Sequence, residues 1–353
     1  MAQFYTLAVK AIKRETEKAV SIAFNVPDNL KTFFKFKAGQ YLTLKTTLNG
    51  EDIRRDYSIC SSPNSDELKV AVKEVENGKF STYLNNTLKE GDQLEVATPQ
   101  GRFVFEPDAT KTRHIAAFAA GSGITPIMSI AKTILENEPN SKFILVYGNK
   151  TPQDTIFFDE ILELHHNYLE RFELQEVFSQ SEKENALFGR IEKSTVNFIL
   201  KNKYKHIDID AFYLCGPEAM INTVSDVLKE NGIDESVINF ELFTAPTQNT
   251  SANAAVDVVD GETQITVIVD DEEETFTMSQ KKNILEAALD NDLDAPYSCQ
   301  GGICSSCIAR VTEGTATMRQ NNILTENEVA EGLILTCQAH PTSSKIVVDY
   351  DDV

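Results

Sequence analysis

The sequence predicts a multi-domain protein in which an antiparallel β-barrel is followed by an α/β domain with a parallel sheet and then by a small α+β domain. Three observations predict this order. Apolar and polar residues alternate through 1–107, short apolar runs alternate with helix-like segments over 108–243, and four of the six cysteines lie in the last 55 residues. A chain of 353 residues exceeds what one core usually organises, so two or three domains are expected.

The first 107 residues carry the alternation that is typical of half-buried strands. In KAVSIAFNV every second residue from Val20 to Val26 is large and apolar, and LKVAVKEV repeats the pattern from Leu68 to Val72. Turn residues separate such runs, as in PDN and SSPNSD. Residues 1–107 are therefore predicted to form an antiparallel barrel.

The hydrophobic pattern of the sequence is different over residues 108–243. Short apolar runs, HIAAFAA, FILVYG, FELQEVF and AFYLCG, are separated by segments with helical spacing, such as TPIMSIAKTIL and FFDEILELHH. A β-α-β series of this kind is typical of a parallel sheet.

Residues 244–263 are small and polar without sustained periodicity, and we interpret them as an interdomain linker. Residues 264–353 then give the third domain. They hold two alternating runs, TQITVIVD and EETFTMS, a short helix around NILEAALDND, a cysteine-rich loop and a closing strand, SKIVVDY.

The charge of the chain excludes some classes of partner. A formal net charge of -21 argues against binding to nucleic acid or to an anionic membrane, because Lys and Arg clusters carry phosphate binding. Residues 251–353 account for -14 of it, with 19 acidic against 5 basic residues. This excess is either a solvated surface or a docking face for a basic partner. The N-terminus lacks an apolar signal-like run, and no stretch approaches 18 apolar residues, so a soluble, cytoplasmic protein is expected.

The clustered cysteines predict a metal centre. Cys299, Cys304 and Cys307 follow a C-x4-C-x2-C spacing, and Cys337 comes after a further 29 residues, which agrees with the ligand pattern of plant-type [2Fe-2S] ferredoxins. Structural zinc sites instead favour paired C-x2-4-C knuckles, and Cys337 has no paired cysteine beside it. A disulfide framework is disfavoured in a cytoplasmic protein of this length. We therefore expect four thiolate ligands for a [2Fe-2S] cluster.

Short motifs in the first two domains indicate nucleotide chemistry. RDYS places a guanidinium, which suits phosphate oxygens, next to an aromatic ring and a hydroxyl that suit a flavin. VAVKEVENGKFSTYL follows with a glycine turn and a helix start, which either cradles a phosphate or is a turn with an N-cap. AAGSGITPIMSI holds a glycine turn between strand and helix, which either approaches a pyrophosphate or is a tight connection.

In this order, RDYS, GSGITP and the CGP of YLCGPEAM resemble the motifs of the ferredoxin-NADP reductase superfamily over roughly residues 1–243, and PYSCQGGICSSC with ILTCQ resembles a plant-type ferredoxin of β-grasp fold. The resemblance implies that the barrel binds FAD and the α/β domain binds NAD(P)H. It implies cofactor-binding roles for these residues: Arg55, Asp56, Tyr57, Ser58, Val72, Lys73, Gly78, Phe80, Ser81, Thr82, Gly121, Gly123, Thr125, Pro126, Ser179, Arg190, Cys215, Gly216 and Pro217.

The resemblance further implies that Ser58, Thr125 and Cys215 lie at the site of hydride transfer. Ser179 and Arg190 stand where relatives that prefer NADPH hold its 2′-phosphate, and no acidic residue occupies position 179 or 180 to favour the NADH ribose. NADPH is therefore expected over NADH. Cys60 is interpreted as a packing residue.

The module order predicts an electron-transfer reductase. Hydride carries two electrons, a [2Fe-2S] cluster accepts one at a time, and a flavin can convert between them. The arrangement resembles the reductase components of phenylacetyl-CoA epoxidase systems, which implies a di-iron oxygenase component as acceptor. Two alternatives stay open: a reductase for another acceptor, such as a Rieske oxygenase, and a redox sensor that does not turn over nucleotide.

Overall fold

The computed structural model describes residues 3–243 and 261–353. These fall into two compact units, Phe4–Phe243 and the part of the chain after it. Most of the predicted linker, 244–260, lies outside the described residues. Its last residues belong to the third domain, because the first strand there begins at Glu262 rather than at 264. None of the described helices is long and apolar enough to span a membrane.

The N-terminal part of the first unit is the predicted antiparallel barrel. Its elements are β1 (Phe4–Thr16), β2 (Ala19–Asn25), β3 (Tyr41–Leu48), β4 (Glu51–Ser58), β5 (Leu68–Lys73), α1 (Lys79–Asn86) and β6 (Gln93–Ala97). The strand order is β4-β3-β6-β1-β2-β5, with antiparallel pairing throughout. A bridge between Ile59, directly after β4, and Val70 of β5 joins the two ends of the sheet. The alternating apolar residues point into one core, where Ile22, Leu42 and Val70 are fully buried.

The second part of this unit is the predicted parallel sheet with helices. Its elements are β7 (His114–Ala120), α2 (Ile124–Asn137), β8 (Lys142–Asn149), α3 (Phe158–Asn167), β9 (Phe172–Phe178), β10 (Leu187–Phe188), α4 (Lys193–Phe198), β11 (Ala211–Gly216), α5 (Glu218–Glu230) and β12 (Ile238–Leu242). The order β10-β9-β8-β7-β11-β12 is parallel throughout. Strands β8, β9 and β10 are added in turn on one side of β7. The chain then returns to the other side of β7, where it adds β11 and β12. Open sheets of this kind bind ligands beyond the carboxyl ends of the two strands where the order reverses.

The second unit is a mixed sheet packed against a helix, as the β-grasp resemblance implied. Its elements are β13 (Glu262–Val269), β14 (Glu272–Ser279), α6 (Ile284–Asp290), β15 (Ile308–Glu313), β16 (Ala316–Met318), α7 (Glu326–Ala330), β17 (Leu333–Leu335), β18 (Ala339–Pro341) and β19 (Lys345–Asp349). The sheet order is β14-β13-β19-β15-β17, with β13 and β19 parallel, and β16 pairs with β18. Asn283 caps α6 by accepting a hydrogen bond from the backbone N–H of Glu286, and the apolar face of α6 is buried.

Candidate functional site

The RDYS motif forms the last four residues of β4. Arg55 and Tyr57 are two residues apart on this strand and therefore project to the same side. The ring of Tyr57 packs edge-on against Phe80 of α1, with the ring centroids 6.2 Å apart. On the opposite side, Asp56 accepts a 2.6 Å hydrogen bond from the hydroxyl of Thr43, and Ser58 is buried. The motif thus presents an exposed guanidinium beside an aromatic ring at one edge of the barrel.

The turn before α1 is held by the hydroxyl of Ser81. This hydroxyl accepts a 3.1 Å hydrogen bond from the N–H of Val75 and donates one of 3.3 Å to the carbonyl of Gly78. Gly78 caps the helix without a side-chain bond, and a Cβ on it would lie 2.6 Å from the Ser81 oxygen. Ser81 therefore shapes the turn, whereas the N–H groups of the first helical turn, which begins at Lys79, are the donors suited to an anion.

The two nucleotide motifs touch each other at the centre of the parallel sheet. Gly121 to Gly123 follow β7, and Cys215 is the penultimate residue of the neighbouring strand β11. A Cβ on Gly123 would lie only 2.0 Å from the carbonyl oxygen of Cys215. Gly121 has a φ of +55°, which favours glycine. The glycines are thus required by close backbone contact at the strand ends.

Thr125 and Cys215, both predicted at the hydride-transfer site, are buried. The hydroxyl of Thr125 donates to the carbonyl of Ser122 at 3.0 Å, so it holds the glycine turn from inside α2. Complete burial raises the pKa of Cys215 well above its ordinary value, and the nearby Glu241 raises it further. The thiol is therefore neutral, and Pro126 occupies the first turn of α2 as expected.

Lys73, at the end of β5, brings a positive charge to the glycine turn. Its Nζ lies 3.5 Å from the point that a Cβ on Gly121 would occupy. Burial lowers the pKa of Lys73, and the neighbouring ammonium of Lys150 lowers it further. Close to this position, at the end of β8, the buried Nδ2 of Asn149 has no hydrogen-bond partner among the described residues. Two cations, offset in part by the carboxylate of Asp154, and a buried donor near a glycine turn form a site suited to phosphate oxygens.

The structure brings the segments of Ser179 and Arg190 to one edge of the sheet. Ser179 directly follows β9, and its N–H donates to the carbonyl of Asn149 at 3.0 Å. Strand β10 pairs with the end of β9, and the N–H of Gly189 donates to the carbonyl of Phe178 at 2.8 Å. Arg190 therefore follows Gly189 at the same carboxyl edge as Ser179.

Sequence reasoning missed Glu241 of β12. Glu241 pairs in register with Cys215, and its Oε2 is buried without a hydrogen-bond partner in the described part of the chain. Burial raises the pKa of Glu241 to about 8, with a further contribution from the negative charge of Asp56. Asp56 belongs to the RDYS motif, so a titratable group lies where the two predicted motifs approach each other. No sequence signal marks it, since INFEL is typical of an ordinary strand with Glu facing solvent.

Tyr147 of β8 was also missed. Its buried hydroxyl donates a 2.9 Å hydrogen bond to the carbonyl of Gly121 and lies 3.4 Å from the carbonyl of Ile156. The next residue, Phe157, is buried and has a φ of +61°, an uncommon conformation for a bulky side chain. Tyr147 thus ties the glycine turn to the loop that precedes α3.

The four clustered cysteines form two pairs in the loop before β15 and after β17. A hydrogen bond from Cys304 and further bonds from loop N–H groups lower the pKa of Cys299 to about 6. Contact with Cys307 lowers the pKa of Cys337, and the pKa of Cys307 rises correspondingly. The N–H of Gly301 donates to the sulfur of Cys299 at 3.3 Å. The loop therefore favours thiolates at Cys299 and Cys337, and it aims N–H donors at them.

This arrangement fits two irons that each take two thiolates. Within residues 3–243 and 261–353, no group of three or more His, Cys, Asp or Glu side chains is arranged to hold one metal ion. Thr336 keeps the second pair together, because both its N–H and its hydroxyl donate to the carbonyl of Cys307. Cys60 and Cys215 lie in the other unit and are fully buried.

Three family models match the chain in the predicted order. Residues 6–105 match an oxidoreductase FAD-binding domain, residues 118–226 an oxidoreductase NAD-binding domain, and residues 267–342 a 2Fe-2S iron-sulfur cluster binding domain. The cofactors expected from the sequence are therefore confirmed at the level of domains: FAD, a nicotinamide nucleotide and a [2Fe-2S] cluster.

Relatives that match over nearly the whole chain are oxidoreductase components as well. The chain is 38% identical over 353 residues to one of the subunits of 1,2-phenylacetyl-CoA epoxidase of Escherichia coli (strain K12), with 99% of each sequence covered. It is 32% identical over 351 residues to the ferredoxin reductase component of 3-ketosteroid-9-alpha-monooxygenase of Rhodococcus rhodochrous, covering 98% of this chain and 96% of the relative. The solved structure of phthalate dioxygenase reductase shares the fold, with a TM-score of 0.61, 24% identity and 98% coverage of both chains. The chain belongs to the family of oxidoreductase components that join FAD-binding, NAD-binding and 2Fe-2S domains, to which this Escherichia coli relative also belongs.

Proposed function

We propose that this chain takes hydride from NADPH and delivers single electrons to the oxygenase component of a phenylacetyl-CoA epoxidase. The observation that carries the proposal is the approach of the barrel to the nucleotide loop, where Lys73 Nζ lies 3.5 Å from the point that a Cβ on Gly121 would occupy, and where the charge of Asp56 reaches Glu241, the register partner of Cys215. A flavin ring over Tyr57 and a nicotinamide beside Cys215 would then be neighbours. When bound, FAD supplies the conversion between a two-electron donor and the one-electron cluster.

The proposed FAD site lies within residues 1–107. Arg55 supplies a bidentate donor for the diphosphate, and Tyr57 covers one face of the ring with Ser58 beside it. The helix start after Gly78 supplies N–H donors, with Ser81 holding the turn. The remaining proposed contacts on this side are Asp56, Val72, Phe80 and Thr82.

The proposed nucleotide site lies within residues 108–243. Gly121 and Gly123 let the backbone approach the pyrophosphate, while Lys73 of the barrel neutralises its charge. Thr125 and Pro126 shape the start of α2. Cys215, Gly216 and Pro217 form a wall of neutral groups beside the nicotinamide, which a charged thiolate would not provide.

Ser179 and Arg190 are proposed to select NADPH. A hydroxyl and a guanidinium at one sheet edge suit the 2′-phosphate, which NADH lacks. Arg190→Ala is expected to raise the KM for NADPH by about tenfold or more and to leave the KM for NADH nearly unchanged, since a hydrogen bond to a charged group contributes about 1.5–3 kcal/mol. Equal kcat/KM for the two nucleotides in the unsubstituted protein would refute the preference.

The four thiolates of Cys299, Cys304, Cys307 and Cys337 are proposed to hold the cluster as the exit of the relay, in the C-terminal domain whose first strand begins at Glu262. The acidic excess of residues 251–353 supports docking to a basic partner surface. Turnover with the oxygenase should then fall with rising salt. Turnover that is independent of salt would contradict electrostatic docking.

The decisive experiment is anaerobic addition of NADPH to the purified holoprotein. Bleaching of the flavin followed by a [2Fe-2S] electron paramagnetic resonance signal is expected. Bleaching without that signal would refute the relay. The acceptor is tested separately by epoxidation of phenylacetyl-CoA with the oxygenase component, and a reductase active with other acceptors but not with this one would refute only that assignment.

A further inference from the structure

We propose that α2 sets the spacing between the flavin-binding strand and the nucleotide loop, and that Lys132 is a positioning residue for hydride transfer. The inference rests on the proposed function, because it concerns the geometry in which hydride passes from nucleotide to flavin. The polar contacts of α2 with the loop after Ser58 carry it.

Helix α2 connects the two motifs physically. Its first turn follows Gly123 of the nucleotide loop. Further along, Ser129, Lys132 and Glu136 are spaced by three and four residues, so they lie on one face of the helix. This face contacts residues 60–62, which begin two residues after the RDYS motif.

The three side chains bind three consecutive residues of the barrel. Lys132 Nζ donates to the carbonyl of Cys60 at 3.0 Å. The hydroxyl of Ser129 donates to the carbonyl of Ser61 at 2.7 Å.

The third contact completes the row. The hydroxyl of Ser62 donates to the carboxylate of Glu136, which also accepts a 3.2 Å hydrogen bond from Asn64 Nδ2. Three side chains of α2 therefore bind the consecutive residues 60, 61 and 62.

Two of the three contacts are buried, whereas the side chain of Glu136 is exposed. Ser129, Ser61 and Ser62 are each at most 3% exposed, and the Lys132 side chain is 12% exposed. Buried hydrogen bonds are costly to leave unmade, so they resist sliding of one part against the other. The Lys132 charge is balanced by Glu160 of α3 at 2.5 Å, which leaves a second ammonium proton for the Cys60 carbonyl.

The barrel side of the contact is equally fixed. The N–H of Ile59 donates to the carbonyl of Gln40 at 2.9 Å, and the N–H of Cys60 donates to the carbonyl of Lys69 at 2.9 Å. Residues 59 and 60 are therefore held in a fixed conformation. A shift of the Cys60 carbonyl would also move Ser58 and Tyr57 at the end of β4. Hydride transfer depends steeply on the separation of the reacting atoms, and a misplacement of about 1 Å can cost about 100-fold in rate.

The test compares Lys132→Met with Glu160→Gln in the holoprotein. Lys132→Met removes the hydrogen bond to Cys60 but keeps the apolar stem, whereas Glu160→Gln weakens the ion pair and keeps that bond. Stopped-flow reduction at saturating NADPH is expected to be about 10- to 100-fold slower in Lys132→Met and within about twofold of the unsubstituted rate in Glu160→Gln. The Kd for NADPH, obtained from the concentration dependence, should not change in either variant.

Ser129→Ala gives a second, milder variant in case Lys132→Met does not fold. It removes only the bond to Ser61 and should also slow reduction without a change in Kd. An unchanged reduction rate in a folded variant with this lost bond would overturn the inference, and so would equal slowing in Glu160→Gln. Failure of the unsubstituted protein to bleach with NADPH would instead overturn the proposed function, and the inference with it.

Discussion

Glu241 of β12, the edge strand of the parallel sheet, lies in register beside Cys215 of β11 and within reach of the charge of Asp56 from the barrel. Neighbouring residues of paired strands share one face of a sheet, so the carboxyl and the thiol are presented together. Both groups are neutral at pH 7, because the pKa of Glu241 is raised to about 8 and that of Cys215 well above its ordinary value. The folded protein therefore keeps the buried Glu241 carboxyl protonated at pH 7, where its flavin and nucleotide motifs approach each other.

The first prediction concerns the pH dependence of stability. The folded state holds the Glu241 proton up to about pH 8, whereas the unfolded chain releases it near the ordinary pKa of 4.5. The folded state thus binds more protons in this window, and the free energy of unfolding should fall as pH rises from about 4.5 to about 8. Glu241→Gln should flatten the dependence and be more stable than the unsubstituted protein at pH 8 but not at pH 5.

Urea unfolding of both proteins across this range measures the effect. The difference in the free energy of unfolding between the two proteins is taken at each pH. Contributions of all other titratable groups cancel in this difference, since both proteins share them. Parallel curves for the two proteins would show that Glu241 does not titrate in this window.

The second prediction concerns Gly123. A Cβ added there would lie 2.0 Å from the carbonyl oxygen of Cys215, and neither backbone can yield without moving the nucleotide loop or the end of β11. Gly123→Ala should lower kcat/KM for NADPH by about 100-fold, the expected cost of a shift of about 1 Å. Gly148→Ala is the control, because its Cβ would meet side-chain atoms rather than backbone, namely Ile191 at 3.2 Å and Ala120 at 3.7 Å. Similar losses in both variants would contradict the special role of the Gly123 contact.

The third prediction concerns Tyr147. Tyr147→Phe removes one of the two donors to the Gly121 carbonyl and leaves only the N–H of Ile124, which should weaken NADPH binding by about 1 kcal/mol, or about fivefold. Tyr213→Phe makes the same chemical change at a hydroxyl that donates to the Val104 carbonyl, far along the chain from the glycine turn. We expect Tyr213→Phe to change stability but not the Kd for NADPH, measured by flavin difference absorbance. An unchanged Kd in Tyr147→Phe would show that the turn holds its shape without this bond.

The sequence predicted the three folds because each has a local signature. Alternation from Val20 to Val26 became β2, and the apolar run HIAAFAA became β7 at the centre of the parallel sheet. The C-x4-C-x2-C spacing lies in one tight loop, which constrains its own residues, and the assignment of four cluster ligands stays a prediction. The glycines of the nucleotide turn could be predicted for the same reason.

Contacts between distant segments had no such signature. Lys73 belongs to the barrel but reaches Gly121, and nothing in VAVKEV indicates where its ammonium lies. In β12 the local pattern was misleading, because Phe240 is 42% exposed while a carboxylate oxygen of Glu241 is buried. Tertiary context therefore overrides the alternation of this strand.

The last prediction distinguishes reduction of the flavin by NADPH from electron transfer to the [2Fe-2S] cluster. Cys299 has a pKa lowered to about 6 by the hydrogen bond from Cys304 and by loop N–H groups, so a thiolate ligand is favoured there, and a serine hydroxyl, which ionises far less readily, is a weaker ligand. Cys299→Ser should still let NADPH bleach the flavin but should lose the [2Fe-2S] resonance signal and bound iron. Cys60→Ser is the matched control: Cys60 is fully buried with its pKa raised to about 12, and it donates to the Lys69 carbonyl. This control should keep both signals. Full iron content in Cys299→Ser would show that position 299 is not a ligand, whereas loss of flavin bleaching would show that the two halves of the relay are not independent.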